Sequence, residues 1–400
     1  MLKFLILIIF LIIIFYLFNK FLLKDVEEHY LTYFLPYYDN KGTDLAKFYK
    51  NNESNENYFK KKFTYDTLKI GTIILEKALI ETIMSNYIEN SYLLKSEIIF
   101  YTDRLEIIDD LVTNKLNFSD TNWSSIIYYR DVLGKSINNL RLIKSLYKLY
   151  FYFFTLKKYN VFSIDDFPTN FMIGIIRDDN IYYYYNSLLK DLGYIENIDY
   201  KIVFFKNLTE LVNGLVDSKC NLIIVYDVFP NKRLYNLINN NINSDIILLP
   251  FDISNEKLFL KKQSILSIDY IDLNKLSPSY LPKKFSKYTF DRNKPNIKIL
   301  YTYKILLSNI ETKSEYTYAF IKFFAENYKK INNNTDPGYR ILGIQLSNYS
   351  NGILIDFHKG VMDYLYEKGY ITTTNNNNCK YLVGTTKCTE ETLADNGSFF

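Results

Sequence analysis

Short apolar runs alternate with helix-like segments from residue 67 to residue 252, and this rhythm limits the possible folds more than any other feature. The predicted strands are TLKIGTII (67–74), SEIIFYT (96–102), SSIIYY (124–129), KLYFYFFTL (148–156), FMIGII (171–176), YKIVFF (200–205) and NLIIVY (221–226). Such alternation predicts an α/β fold with parallel sheets covered on both faces. A body of about 300 residues is too long for one open sheet. We therefore expect two lobes, lobe 1 over about 66–150 and 270–370 and lobe 2 over about 151–269.

The segments between the predicted strands carry apolar residues at helical spacing. LEKALIETIMSNYIEN (75–90), DRLEIIDDLVTNKL (103–116) and IYYYYNSLLKDLGY (181–194) are predicted helices. Asp103 is a natural N-cap, and Gly193 is placed to end the third helix. Farther along, NLIIVYDVFPNKRLYNLINNNINSDIILLPFD (221–252) predicts a strand, a turn at Pro230, a short helix and a second strand.

The first 23 residues are predicted to form a transmembrane anchor. Residues 4–18 read FLILIIFLIIIFYLF, and the apolar run continues to Leu23. About 20 helical residues rise roughly 30 Å, the thickness of the hydrocarbon core of a bilayer. A cleavable signal peptide is the alternative, but no small-residue cleavage site follows Phe18. We expect a single-pass membrane protein with an extracytoplasmic or lumenal body; its segments are the anchor (1–23), a polar stalk (24–65), the folded body (66–370) and a low-complexity tail (371–400).

Composition argues against nucleic-acid binding and contains no recognisable catalytic pattern. The formal net charge of +4 is spread along the chain. The two histidines, His29 and His358, are far apart, and no HExxH, GxSxG, GxxxxGK[ST] or paired CxxC pattern occurs. We predict no enzyme activity, no cofactor and no metal site. Cys379 and Cys388 could pair in an oxidising compartment, whereas Cys220 precedes a predicted buried strand and is expected to be inert.

Four stretches in the expected order resemble the TAXI family of type II periplasmic binding proteins, the solute receptors associated with TRAP transporters. The first is LKIGT (68–72), similar to the family's first strand. The second is LRLIKSLYKLYFYFFTLKKYNVFSIDDFPTNFMIGIIR (140–177), the third is the proline-turn segment ending in LLPFD (248–252), and the fourth is DFHKGVMDYLYEKGY (356–370). The resemblance covers about residues 66–370 and implies a two-lobed type II periplasmic-binding-protein-like fold.

The resemblance also implies a function, in which two lobes close around a small solute, commonly a carboxylate, held by turns at helix N-termini. The ligand-binding turns of the family, matched to this sequence one at a time, give the candidate ligand-binding residues. These are Gly71, Thr72, Thr102, Arg104, Asp178, Asp179, Asn180 and Pro230. The implied partners are a small-molecule ligand, the membrane and a separate membrane protein. His358, in the family-like last helix, is expected to be structural.

This chain departs from the family where an anion would be held. The turn after Gly71 lacks the family's glycines. Asp178 and Asp179 occupy a helix start, where they are natural caps but would oppose an anionic ligand. Two interpretations stay open. The cleft binds a neutral or cationic solute, with Tyr182–Tyr185 as aromatic walls, or the chain has no solute and is an interaction protein at a membrane or envelope surface.

Overall fold

The computed structural model describes residues 67–73, 79–92, 95–161, 163–168, 170–241, 246–272, 296–333, 335–344 and 355–368. The predicted anchor, stalk and tail, and with them Cys379 and Cys388, lie outside these residues and stay predictions. Within the described ranges, no helix combines the length and apolarity needed to cross a bilayer. The described residues fall into two compact units, one of residues 67–68, 82–92 and 95–97 and the other of the remaining described residues.

Ten strands form one mixed sheet in the described part of the chain. They are β1 (Leu68–Ile73), β2 (Ser96–Tyr101), β3 (Phe118–Asn122), β4 (Leu140–Leu156), β5 (Phe171–Ile176), β6 (Tyr200–Phe205), β7 (Leu222–Asp227), β8 (Ile246–Leu249), β9 (Ser267–Asp272) and β10 (Asn296–Asn309). The order across the sheet is β2-β1-β3-β10-β4-β7-β5-β6, with β8 paired to β4 and β9 paired to β10. The predicted α/β class is confirmed.

Two long strands, β4 and β10, lie at the centre of the sheet and pair antiparallel with each other. The β1–β3 flank joins this pair through β3, and the β5–β7 flank joins it through β7. Within the flanks, β1 pairs parallel with β3, and β5 pairs parallel with β6 and β7. The prediction of wholly parallel sheets is therefore wrong at the centre, where β4 and β10 run in opposite directions. The boundaries of the two lobes stay a prediction.

The helices follow the predicted segments closely. They are α1 (Leu79–Tyr92), α2 (Arg104–Val112), α3 (Trp123–Ile127), α4 (Asp179–Asp191), α5 (Leu208–Val216), α6 (Lys232–Asn240), α7 (Glu256–Lys262), α8 (Ser314–Asn333) and α9 (Lys359–Glu367). The Asp103 side chain accepts a hydrogen bond from the Leu105 amide at the start of α2. Gly193 follows α4 with a φ of +94°. Both predicted helix ends are confirmed, as is the strand, turn, helix and strand of residues 221–252.

Residues 124–129, predicted as a strand, are helical instead. They belong to α3 and to the π-helical turn Tyr128–Val132 that follows it. The strand in this region is β3, whose sequence FSDTN has a low intrinsic strand propensity. All five residues of β3 are buried, and β3 pairs with both β1 and β10. Pairing on both sides therefore outweighs propensity, and the apolar residues after β3 form the helix.

The tyrosine run at 182–185 belongs mainly to the core. Tyr184 and Tyr185 are buried, whereas Tyr182 and Tyr183 are partly exposed. The ring of Phe151 on β4 lies 5.8 Å from that of Tyr184 and 6.1 Å from that of Tyr185. The expectation that all four rings form cleft walls is wrong for Tyr184 and Tyr185, because they lie with Leu188 and Leu189 on the buried face of α4, which repeats every three to four residues.

His358 caps the start of α9. Its Nδ1 accepts a hydrogen bond from the Gly360 amide at 3.2 Å and lies 2.8 Å from Thr317 Oγ1. Because Nδ1 accepts, neutral His358 carries its proton on Nε2. Burial lowers the pKa of the imidazole, so the side chain is neutral at pH 7. This capping geometry supports the structural role expected for His358.

We expect Gly360→Ala to destabilise the fold, because α9 approaches α8 too closely here for a side chain. A Cβ added at Gly360 would overlap the Ser314 carbonyl oxygen and Thr317 Oγ1. The free energy of unfolding, measured by urea denaturation, should fall by about 1–3 kcal/mol through overpacking. Gly343→Ala is the matched control, since its Cβ would make only ordinary contacts with the Tyr328 ring. Equal stability of the two variants would contradict this prediction.

Candidate functional site

Polar side chains meet at the carboxyl ends of β1 and β3. The parallel register of these strands, continued by one residue, places Thr72 beside Asp120. On the other side of β3, Lys304 of β10 lies opposite Asn122. Because successive side chains of a strand point to opposite faces, these four residues share one face of the sheet. Thr302, two residues before Lys304 on β10, belongs to the same face.

Asp120 and Lys304 form a buried ion pair. The Lys304 Nζ lies 3.2 Å from Asp120 Oδ2, and the side chains are only 2% and 7% exposed for the lysine and the aspartate. Two charges held this far from water depend on each other, since removal of either partner leaves an uncompensated charge in a medium of low dielectric constant. The pair therefore fixes one positive and one negative charge inside this part of the sheet.

Glu81 of α1 adds a second buried carboxyl group beside Asp120. Its side chain is 1% exposed, and its carboxyl group lies within hydrogen-bond reach of Asp120, to which the protonated acid donates. Burial raises the pKa of Glu81 well above its usual range, the nearby Asp120 charge raises it further, and Lys304 lowers it by less. We therefore expect Glu81 to be a neutral carboxylic acid at pH 7 in the unliganded protein.

Several of these residues hold buried polar atoms that lack a hydrogen-bond partner. The atoms are Thr72 Oγ1, Asn122 Oδ1 and Thr302 Oγ1. Asn122 also occupies the N-cap position of α3 without making a capping bond. Each unsatisfied buried group costs about 1–3 kcal/mol, which a ligand could offset by completing the hydrogen bonds. We refer to Thr72, Glu81, Asp120, Asn122, Thr302 and Lys304 as the buried polar cluster.

A second feature is the contact between the start of α2 and the start of α4. The Arg104 Nη1 lies 3.4 Å from Asp178 Oδ2. The other oxygen of Asp178, Oδ1, accepts hydrogen bonds from the amides of Asn180 and Ile181 at 3.0 and 3.1 Å. One carboxylate thus caps α4 and also pairs with a cation from the β1–β3 flank. Nearby, the rings of Tyr128 and Tyr183 meet edge to face at 5.9 Å.

The structure brings half of the predicted ligand-binding residues to these two places. Arg104 and Asp178 are in contact, Asn180 is buried directly behind the cap, and Thr72 belongs to the buried polar cluster. Asp179, in the first turn of α4, is exposed.

The remaining predicted residues lie elsewhere. Thr102 is exposed. Gly71 is buried, and its carbonyl oxygen accepts a hydrogen bond from Ser119 Oγ at 2.9 Å. Pro230 is partly buried in the turn after β7, and its carbonyl oxygen lies against Gly338. For all eight residues, ligand binding itself stays a prediction.

Sequence reasoning missed five members of the buried polar cluster, namely Glu81, Asp120, Asn122, Thr302 and Lys304. One signal was present: Asp120 and Asn122 alternate in a short polar segment between a predicted helix and a predicted strand, as the residues of one strand face would. Among the described residues, no group of three or more His, Cys, Asp or Glu side chains is arranged to hold a metal ion.

No protein-family model and no curated protein matches this chain. Solved structures similar to it include the GluR0 ligand-binding core in complex with L-glutamate, at 10% identity over 69% of this chain and 100% of that chain, with a TM-score of 0.38. A substrate-binding protein of an ABC uptake transporter from Streptococcus pneumoniae, with bound histidine, shares 10% identity over 72% and 98%, with a TM-score of 0.39. XAC2383 from Xanthomonas citri, bound to ATP, shares 6% over 71% and 93%, with a TM-score of 0.46. All three TM-scores lie below 0.5. The strand order is the basis for the fold of this chain.

We expect Glu81→Gln to stabilise the protein above neutral pH. Native Glu81 holds a proton that the unfolded chain loses above about pH 4.5, so the wild-type free energy of unfolding falls as pH rises. The slope from this one proton is at most about 1.4 kcal/mol per pH unit. Glutamine mimics the protonated acid and removes this slope. Urea denaturation between pH 5 and pH 8 measures this slope. Glu326→Gln is the control, because Glu326 is exposed on α8. A profile of Glu81→Gln parallel to wild type would refute the assignment.

Proposed function

We propose that this chain is a solute-binding-like protein of the type II periplasmic-binding-protein architecture, not an enzyme, that holds a small neutral or cationic solute between its two flanks. The strand order supports this architecture, because two long central strands carry a group of parallel strands at each end. In sheets of this kind, ligands lie outside the carboxyl ends of the parallel strands. Those ends carry the buried polar cluster on one flank and Asp178 on the other.

The observation that carries the proposal is the buried polar cluster itself. A folding core would normally satisfy its polar atoms within the protein. Here Thr72, Asn122 and Thr302 keep unpartnered oxygens on three neighbouring strands. A solute with several polar groups would complete these hydrogen bonds and remove their energetic cost.

An anionic solute fits this site poorly. The Asp178 carboxylate already occupies the Arg104 guanidinium and the first amides of α4. A ligand carboxylate would have to displace it or lie beside it, and two like charges a few ångströms apart repel strongly where water is scarce. This chain therefore departs from the carboxylate ligands that the TAXI resemblance implies.

The proposal also includes a membrane location and a membrane-protein partner. We place the body on the extracytoplasmic side of a membrane, anchored by the apolar residues 1–23, where it would present its solute to a separate membrane protein. The apolar run and the TAXI-like stretches in the sequence support this setting.

A thermal-shift screen of the full chain in detergent tests the function. The solutes should span neutral, cationic and anionic metabolites of similar size at matched ionic strength. We expect at least one neutral or cationic solute to raise the melting temperature, because it binds the native state alone. A screen in which no solute changes the melting temperature would refute solute binding.

One observation favours a second function, that of an interaction protein without a solute. The Arg104–Asp178 pair and the Tyr128–Tyr183 contact already connect α2 and the turn after α3 to α4 without any ligand. A protein partner that copurifies with the full chain, together with a negative solute screen, would favour this alternative.

We expect Asp178→Asn to create an anion site. Asparagine keeps the helix cap, since its side-chain oxygen also accepts from backbone amides, but it removes the charge that competes for Arg104. Acetate or phosphate should then raise the melting temperature of the variant and leave the wild type unchanged at equal ionic strength. Asp103→Asn, at the cap of α2, is the matched control. If Asp178→Asn responds to anions no more than Asp103→Asn does, the Asp178 carboxylate is not what excludes them.

A further inference from the structure

We infer that the buried polar cluster is a binding site for the primary ammonium group of a small solute. This inference rests on the proposed function and names its ligand class. The unpartnered atoms of Thr72, Asn122 and Thr302 are oxygens, and an ionised Glu81 would add a carboxylate that only accepts hydrogen bonds. An ammonium group has three N–H donors and no acceptor. The ligand thus supplies donors where the cluster supplies acceptors.

The shared strand face supports a common ligand. Thr72, Asn122 and Thr302 are each less than 5% exposed, and alternation along three neighbouring strands turns them to one side of the sheet. Glu81 of α1 reaches the same side, because its carboxyl group hydrogen-bonds the Asp120 carboxylate. Oxygens from β1, α1, β3 and β10 thus lie on one side of the sheet.

The charge of the site also favours a cation. Asp120 and Lys304 neutralise each other at 3.2 Å. Both groups act on Glu81, Asp120 from β3 and Lys304 from β10. Ionisation of Glu81 would therefore add one negative charge to the cluster. An entering ammonium group would supply the opposite charge at that point.

Binding is consequently linked to the release of a proton. Glu81 is neutral in the unliganded protein because burial and Asp120 raise its pKa. A bound cation favours the carboxylate, so the proton leaves for solvent as the ligand binds. Affinity for an alkylammonium ion should rise with pH, by at most about tenfold per pH unit while one proton is released.

Isothermal titration calorimetry of the full chain in detergent tests this inference. The probe is n-butylammonium chloride, and sodium butyrate and butan-1-ol are controls of the same chain length. We expect n-butylammonium to bind at least tenfold more tightly than either control at pH 8, and more weakly at pH 6. Equal binding of the three probes, or an affinity for n-butylammonium that is independent of pH, would overturn the inference.

Variants locate the effect within the cluster. Glu81→Gln should weaken n-butylammonium binding at pH 8 at least tenfold and abolish its pH dependence. Asn122→Leu, which removes the amide oxygen at similar volume, should weaken binding by a similar factor. Thr121→Val is the matched control, because Thr121 is also buried with an unpartnered hydroxyl but lies on the opposite face of β3. If Glu81→Gln or Asn122→Leu binds as wild type does, the cluster is not the ammonium site.

The experiment separates this inference from the proposed function. If a neutral or anionic solute stabilises the chain while n-butylammonium does not bind, solute binding stands and the ammonium assignment fails. If no solute of any charge binds, both fail.

Discussion

The antiparallel pairing of β4 with β10 is the constraint on which the rest of the structure depends. These strands join two groups of parallel strands that otherwise share no pairing in the described chain. Their register shifts between Lys304 and Ile305, where β4 has one residue more than β10. A bulge of this kind bends the strand that carries the extra residue, which is β4. β10 itself keeps an unbroken register beside β3, and there the Lys304 ammonium group meets Asp120.

Buried polar groups are an unusual use of a core position, and here they are concentrated. Hydrophobic residues of similar volume would often give an equally stable or more stable fold than a buried ion pair does. The chain instead keeps an ion pair, a protonated acid and several hydroxyl and amide groups on one face of three neighbouring strands. Such a departure from the most stable solution is typical of positions that serve a ligand. Under the proposed function, the cluster is the part of the molecule where stability and ligand binding conflict most directly.

Much of the fold follows from local signals in the sequence, and most of the site does not. Asp103, Asp178 and Gly193 mark helix ends by chemistry that acts within a few residues. The sequence predicts a strand at 124–129 instead of β3, because the polar sequence of β3 becomes a strand only through pairing on both sides. Glu81 and Lys304 come from distant segments, an amphipathic helix and an apolar strand, and neither segment indicates that its charged residue will be buried. Contacts between residues far apart in the chain decide the site, and a single sequence does not reveal them.

The bridge between Arg104 and Asp178 has a dynamic consequence. The side chains of Arg104 and Asp178 are 18% and 25% exposed, so water and salt reach the pair. Partly exposed ion pairs contribute about 0–1 kcal/mol, and ions screen them over about 8 Å at physiological ionic strength. Thermal motion can therefore break and re-form the ion pair continually. The pair holds α2 and α4 near each other without fixing their positions rigidly. Ionic strength would shift the fraction of time for which this ion pair is broken.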